Sequence, residues 1–152
     1  VKGVLKELHQ NGFEVFVISN QAGVSKGAYS QKTLDTITEN MLKNLGGPYI
    51  SGVYYCTHKN EDNCACRKPK AGLVHLAISE AKQKNRQIDT SKSFFIGDTI
   101  RDIQTGKAAG LKTILVFSGK EKRENKDNWQ EQPDFIANDL SGAAKIIFKA
   151  CA

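Results

Sequence analysis

Four times along this chain an amphipathic helical stretch gives way, after a turn, to a short and almost wholly apolar run. Val1, Val4, Leu5 and Leu8 recur at helical spacing, Asn11-Gly12 interrupts them, and "FEVFVI" follows as a buried strand. Ser30 is placed to cap a second helix with the stripe Leu34, Ile37, Met41, Leu42 and Leu45. Gly46-Gly47 ends it and "GVYYC" reads as the next strand. A third helix over Leu73 to Ala81 leads to "SFFI" at 93 to 96. A fourth, over Ile100 to Ala109 and stopped by Gly110, leads to "KTILVF" at 112 to 117. A short "DFIA" and a last helix through Ile146, Ile147 and Phe148 complete the chain. Strands that are apolar on both faces and separated by helices belong in a parallel sheet covered on both sides. The expected fold is therefore a doubly wound, Rossmann-like α/β domain.

At 152 residues and 39% apolar content the chain is sized for a single domain, residues 1–152, with one core. Val1 already lies inside a helix, with no capping residue before it, whereas doubly wound domains open with a strand. The expectation is an N-terminally incomplete domain with a first strand upstream, because each buried backbone group left unpaired costs about 1 to 3 kcal/mol. No stretch approaches the roughly 18 to 20 apolar residues of a membrane span, and the amphipathic start is unlike a signal peptide, so a cytoplasmic protein is expected. The net charge of +6 suits an anionic ligand but is spread along the chain, and "KEKREN" at 120 to 125 reads as a solvated loop. The expected partner is a small phosphorylated molecule, with no nucleic acid and no membrane, and the protein is expected to be monomeric. Interleaved basic and aromatic residues, which a polynucleotide phosphatase would need, do not occur.

In open parallel sheets ligands bind beyond the carboxyl ends of the strands, which here directs attention to Ser19-Asn20-Gln21, to Cys56 onward, to Gly97-Asp98-Thr99 and to Ser118-Gly119. Ser19 and Asn20 offer a hydroxyl, an amide and backbone N–H groups to phosphate oxygens, or form an ordinary turn. Asp98 is a candidate Mg²⁺ ligand, with Asp102 one helical turn further to orient the site. Alternatively Asp98 caps the helix that begins at Ile100. Arg67 and Lys68 are either an exposed basic turn or a bidentate grip and a point charge for a phosphoryl group.

Cys56-x-His58-x5-Cys64-x-Cys66 places four soft or borderline ligands within 11 residues. That set suits tetrahedral Zn²⁺ with no open position, a structural site, and in a reducing compartment a metal is favoured over disulfides. A redox or chance cluster is the alternative. Zinc there would hold the loop that presents Arg67 and Lys68. His9 and His75 read as surface or packing residues and Cys151 as a free thiol.

Taken together, "ISNQAG", "CTHKNEDNCACRKPKAG", "IGDTIRDIQTGKAAG" and "PDFIANDL" resemble the haloacid dehalogenase (HAD) superfamily of phosphatases. The likeness is to its zinc-loop group, which contains heptose bisphosphate and histidinol-phosphate phosphatases. The resemblance implies Mg²⁺ and structural Zn²⁺ as cofactors. It implies Ser19 as a phosphate-binding hydroxyl, Lys68 as the catalytic lysine, Asp98 as the Mg²⁺ ligand and Asn20 and Arg67 as substrate contacts. Cys56, His58, Cys64 and Cys66 match the zinc ligands. It also implies hydrolysis of a sugar phosphate through an aspartyl-phosphate, with the 7-phosphate of a heptose 1,7-bisphosphate favoured by the heptose-type motifs and histidinol phosphate as the alternative. The family's D-x-D-G-T motif, with its nucleophilic and acid/base aspartates, does not occur in these residues. It is expected upstream, and the stretch by itself is expected to have no turnover. A catalytically inactive, zinc-stabilised binding domain is the competing reading. Thr99 departs from the basic residue that often follows the Mg²⁺ aspartate in the heptose enzymes.

Overall fold

The computed structural model describes residues 1–152. The chain forms two compact units, Val1–Arg67 and Lys68–Ala152. In the first, α1 (Lys2–Gln10), β1 (Phe16–Asn20), α2 (Gln31–Leu45) and β2 (Gly52–Cys56) follow in order, with a short 3-10 turn at Asn60–Asp62. β1 and β2 pair in parallel, from Phe16 opposite Gly52 to Asn20 opposite Cys56. Ser19 and Asn20 therefore close the strand instead of following it. The Ser30 hydroxyl accepts the Thr33 N–H at 3.1 Å, and Gly46 ends α2 in the left-handed region at φ +66°, a conformation a side chain would disfavour.

Of the stripe expected on α2, Leu34 is buried but Ile37 and Leu42 are 56% and 38% exposed. At 100° per residue Met41 and Leu45 lie within about 20° of the Leu34 line, whereas Ile37 and Leu42 lie about 60° and 80° to either side. The buried strip is narrower than the hydrophobic pattern suggested.

The second unit carries α3 (Gly72–Gln83), β3 (Phe94–Gly97), α4 (Ile100–Ala108), β4 (Lys112–Val116), β5 (Phe135–Ala137) and α5 (Leu140–Cys151). Its parallel sheet has the order β3-β4-β5. Ile114, Leu115 and Thr113 of the central strand are wholly buried, as are Ile103 and Thr105 of α4 and Ala143 of α5. A Cβ on Gly106 would collide with Phe95 and Thr113, so a glycine is what lets α4 lie close on the strands. The strands are parallel throughout and alternate with helices, as expected of an α/β domain, and they form two sheets, one in each unit. β1 pairs only with β2, and β3 only with β4, so each ends a sheet. No helix is long and apolar enough to cross a membrane.

Asp134 ties β5 to its neighbours. Its Oδ2 accepts the Thr113 N–H at 2.7 Å and hydroxyl at 2.8 Å, and its Oδ1 meets Lys107 Nζ at 2.6 Å. Burial by itself would raise this carboxyl, but the Lys107 ammonium and the Thr113 donors outweigh it and hold the group below its ordinary range. A depressed carboxylate contributes stability that is present above its ordinary pKa and lost as pH falls through the lowered value. Asp134→Asn is therefore expected to lower the melting temperature at neutral pH, with the difference from wild type shrinking as the medium becomes strongly acidic. Thermal melts across an acid series check this, and a difference independent of pH would contradict it.

Candidate functional site

In the first unit the end of β2 opens into a sulfur-rich loop. Cys56 Sγ, buried at the strand end, lies 3.6 Å from Cys64 Sγ and 3.2 Å from Cys66 Sγ. His58 Nδ1 is 3.7 Å from Cys56 Sγ and 3.2 Å from Cys66 Sγ. All four ligand atoms lie within 4.8 Å of one another. A disulfide would bring two sulfurs to about 2.05 Å, and the four cysteines of the chain are free thiols. Tetrahedral zinc with Zn–S near 2.3 Å sets sulfurs about 3.8 Å apart, so the cluster needs only a slight expansion to accept the ion.

The chemistry of the donors points the same way. Burial would raise the Cys64 thiol, but hydrogen bonds from Cys66, from the Arg67 backbone and from Cys56 bring it down to about 7. Burial and the same two neighbouring cysteines push Cys66 up to about 12. Thiols this crowded cannot all ionise unless a cation joins them. The loop also fixes Arg67, whose Nη1 donates to the His58 carbonyl at 3.2 Å, while its Nε is buried without a partner.

Parallel register sets Asn20 beside Cys56, and the Gln21 N–H donates to the Cys56 carbonyl at 2.7 Å, so the ends of β1 and β2 are tied together. The Tyr29 hydroxyl donates to Gln21 Oε1 at 2.6 Å and Gln21 Nε2 donates to Ser19 Oγ at 3.0 Å. Ser19 is the acceptor at the end of this relay, so its own O–H remains a donor, the polarity that a phosphate oxygen requires. Tyr29 was not legible as a member of this relay, because it lies eight positions beyond Gln21 and no periodicity spans the loop between them.

In the second unit Lys68 and Asp102 meet as an ion pair, Nζ to Oδ1 at 2.5 Å, with side chains 15% and 5% exposed. Asp102 Oδ2 accepts the Thr99 N–H at 3.1 Å and the Thr99 hydroxyl at 2.7 Å, while Thr99 Oγ1 receives the Asp102 N–H at 3.3 Å. This is a reciprocal capping box, and it makes Thr99, not Asp98, the N-cap of α4. The capping reading of Asp98 is corrected accordingly. Thr99, which sequence comparison marked only as a departure, is the residue that fixes Asp102.

Asp98 is half-buried, released from capping, and held by the loop after β4. Its Oδ2 accepts the Lys120 N–H at 3.0 Å and its carbonyl the Glu121 N–H at 2.9 Å. Its other carboxylate oxygen remains as a hard donor of the kind Mg²⁺ takes. Two glycines make room for the acids, since a Cβ at Gly97 would strike the Asp102 side chain and one at Gly119 the Asp98 carboxylate. His9 and His75 are exposed, as expected, and Cys151 is half-buried with its Sγ 3.9 Å from the Lys92 carbonyl.

Residues 65–143 match a family model described as HAD-hydrolase-like. The chain is 32% identical over 152 residues to D-glycero-beta-D-manno-heptose-1,7-bisphosphate 7-phosphatase of Pasteurella multocida, covering 94% of this chain and 78% of that protein. It is 36% identical over 126 residues to the Haemophilus ducreyi protein of the same name, covering 76% of this chain and 66% of its relative. The match thus spans about two thirds of the Haemophilus protein. Among solved structures, that of D,D-heptose 1,7-bisphosphate phosphatase from B. bronchiseptica, complexed with magnesium and phosphate, superposes with a TM-score of 0.82 at 25% identity. It covers 98% of this chain and 82% of that one. With a family model over half its length and a relative of this identity and coverage, the chain belongs to the HAD-like hydrolases.

Proposed function

We propose that this chain is part of a Mg²⁺-dependent phosphatase that removes the 7-phosphate of a D-glycero-D-manno-heptose 1,7-bisphosphate, and that residues 1–152 act as one phosphatase domain in the cytoplasm. The observation that carries the reading is the Lys68–Asp102 pair one helical turn from Asp98. A buried carboxylate pins an ammonium, and four residues before it in the chain a second carboxylate is spared from capping. The names of the relatives supply the substrate.

In the first unit Ser19 donates its O–H to a phosphate oxygen, with Asn20 and the Arg67 guanidinium assisting. Cys56, His58, Cys64 and Cys66 hold a structural zinc. In the second unit Lys68 supplies a localised positive charge to the phosphoryl oxygens, and Asp102 keeps that ammonium from rotating away. Asp98 would hold Mg²⁺, which when bound neutralises charge on the phosphoryl group. A nucleophilic aspartate outside these residues attacks phosphorus and forms an aspartyl-phosphate. The departing alcohol takes its proton from a second aspartate, and water then cleaves the acyl phosphate.

Phosphate release by the protein that includes the D-x-D segment is the test. Heptose 1,7-bisphosphate is expected to be hydrolysed faster than histidinol phosphate. The reverse order would transfer the assignment to histidinol phosphate, and no release from either would overturn it. Asp98→Asn is expected to abolish the magnesium dependence of the rate.

A further inference from the structure

Next to the Asp98 loop the second unit has an open cleft of about 380 Å³ between the first turns of α4 and the segment after β4. The walls are joined to Asp98 on both sides, through Thr99 into Arg101 and through the Glu121 N–H on the Asp98 carbonyl. Gln104 Nε2 reaches Gln130 Oε1 across it at 3.4 Å. The lining groups divide sharply by hydrogen-bonding sense. The Arg101 guanidinium, a donor only, enters no hydrogen bond or ion pair, and Gln104 can donate and accept. Glu121 receives Asn125 Nδ2 at 2.8 Å and the Lys122 N–H at 3.1 Å, both on Oε1, so Oε2 keeps its acceptor capacity. The Asn125 amide, foremost, and the Lys122 N–H hold this carboxyl below its ordinary range, so it is ionised. Trp129 stacks on Phe117 with centroids 6.2 Å apart, which fixes its indole. The indole N–H is buried and makes no hydrogen bond of normal geometry, and its effect on Glu121 is the weakest of those acting there.

An acceptor at Glu121, a donor at Arg101, amides that can do either and the flat indole of Trp129 suit a ligand whose groups both donate and accept. Hydroxyls do. A second phosphate would gain Arg101 but face the ionised Glu121. We propose that this cleft is the subsite for the hydroxyl-rich, uncharged part of the substrate, a polyol or sugar body, and that Arg101, Gln104, Glu121 and Trp129 set specificity for it. The proposal rests on the sugar-phosphate reading above.

Trp129 is the one tryptophan of these 152 residues, and the part of the emission that Trp129→Phe removes reports on the cleft without requiring turnover. Titration with D-mannose, a sugar body without phosphate, is expected to give a saturable change in emission, and inorganic phosphate none. The double variant Arg101→Met/Gln104→Leu is expected to weaken the mannose response about tenfold, the loss of one good hydrogen bond to a ligand. A response to phosphate with none to mannose, no response at all, or a double variant that responds as wild type does would each overturn the proposal. A mannose response from a protein that hydrolyses no sugar phosphate supports the subsite and sinks the assigned reaction. Hydrolysis without a mannose response does the opposite.

Discussion

Asp102→Ala is expected to destabilise the second unit by about 3 to 5 kcal/mol, the usual cost of removing one partner from a buried ion pair. Asp102 is 5% exposed and Lys68 15%, so water cannot readily replace the lost carboxylate. The substitution also takes the acceptor from the Thr99 N–H and hydroxyl, and loss of a helix cap adds about 1 kcal/mol. Asp102→Asn separates the two contributions. Its amide oxygen can still cap α4, so what it loses is charge. Because a buried pair can be exchanged for apolar groups at little cost, Lys68→Met/Asp102→Leu is expected to be more stable than Asp102→Ala. Urea unfolding of wild type, Lys68→Met, Asp102→Leu and the Lys68→Met/Asp102→Leu double variant measures the coupling. Strict additivity would mean that the pair contributes nothing beyond its members. Activity in the intact enzyme is expected to fall with both single variants and not to return in the double, because the apolar pair restores packing but no ammonium.

The second large effect is expected from metal removal. A stoichiometry of one zinc per chain is expected by elemental analysis, and a strong chelator or Cys56→Ser is expected to produce a large fall in melting temperature. The free energy of structural zinc binding in small domains reaches about 10 kcal/mol or more, and it appears as folding energy because the unfolded chain has no site. Cys56 is the sensitive position because it is wholly buried at the end of β2, in register with Asn20. Hydrogen exchange is expected to accelerate first across residues 56–67, where the loop has little of its own to hold it beyond the short turn at Asn60–Asp62 and the Lys59 N–H to Asp62 contact at 2.8 Å. A chelator-insensitive protein whose thiols oxidise in pairs would support the redox alternative instead.

Much of this was legible in the residues. Helices and parallel strands followed from hydrophobic periodicity and glycine stops, and their order is the one observed. The four ligands of the sulfur loop were legible because they lie within 11 residues, a span over which the chain cannot carry them far apart. Asp98 stood out in the sequence only as a candidate at a strand end, and its freedom from capping was not legible. Asp98 and Thr99 are both good caps, and only the backbone at Thr99, with φ −137° and ψ 156°, decides which of the two faces the helix. The exposure of Ile37 and Leu42 was likewise hidden, since periodicity gives the direction of an apolar stripe but not the width of the surface that covers it.

The amino-acid sequence by itself determined the alternation of helix and strand, the clustering of the potential ligands Cys56, His58, Cys64 and Cys66, and the acids and bases available at the strand ends. These depend on residue type and short spacing, which a one-dimensional pattern records. Only the tertiary structure decided that Lys68 is paired with Asp102, 34 residues away, and that Gly119 makes room for the Asp98 carboxylate. It alone decided that Arg101, Glu121 and Trp129 share a cleft. Those relations join residues across the sheet, and their energies come from burial and from directed hydrogen bonds that exist only once the strands have set the loops side by side.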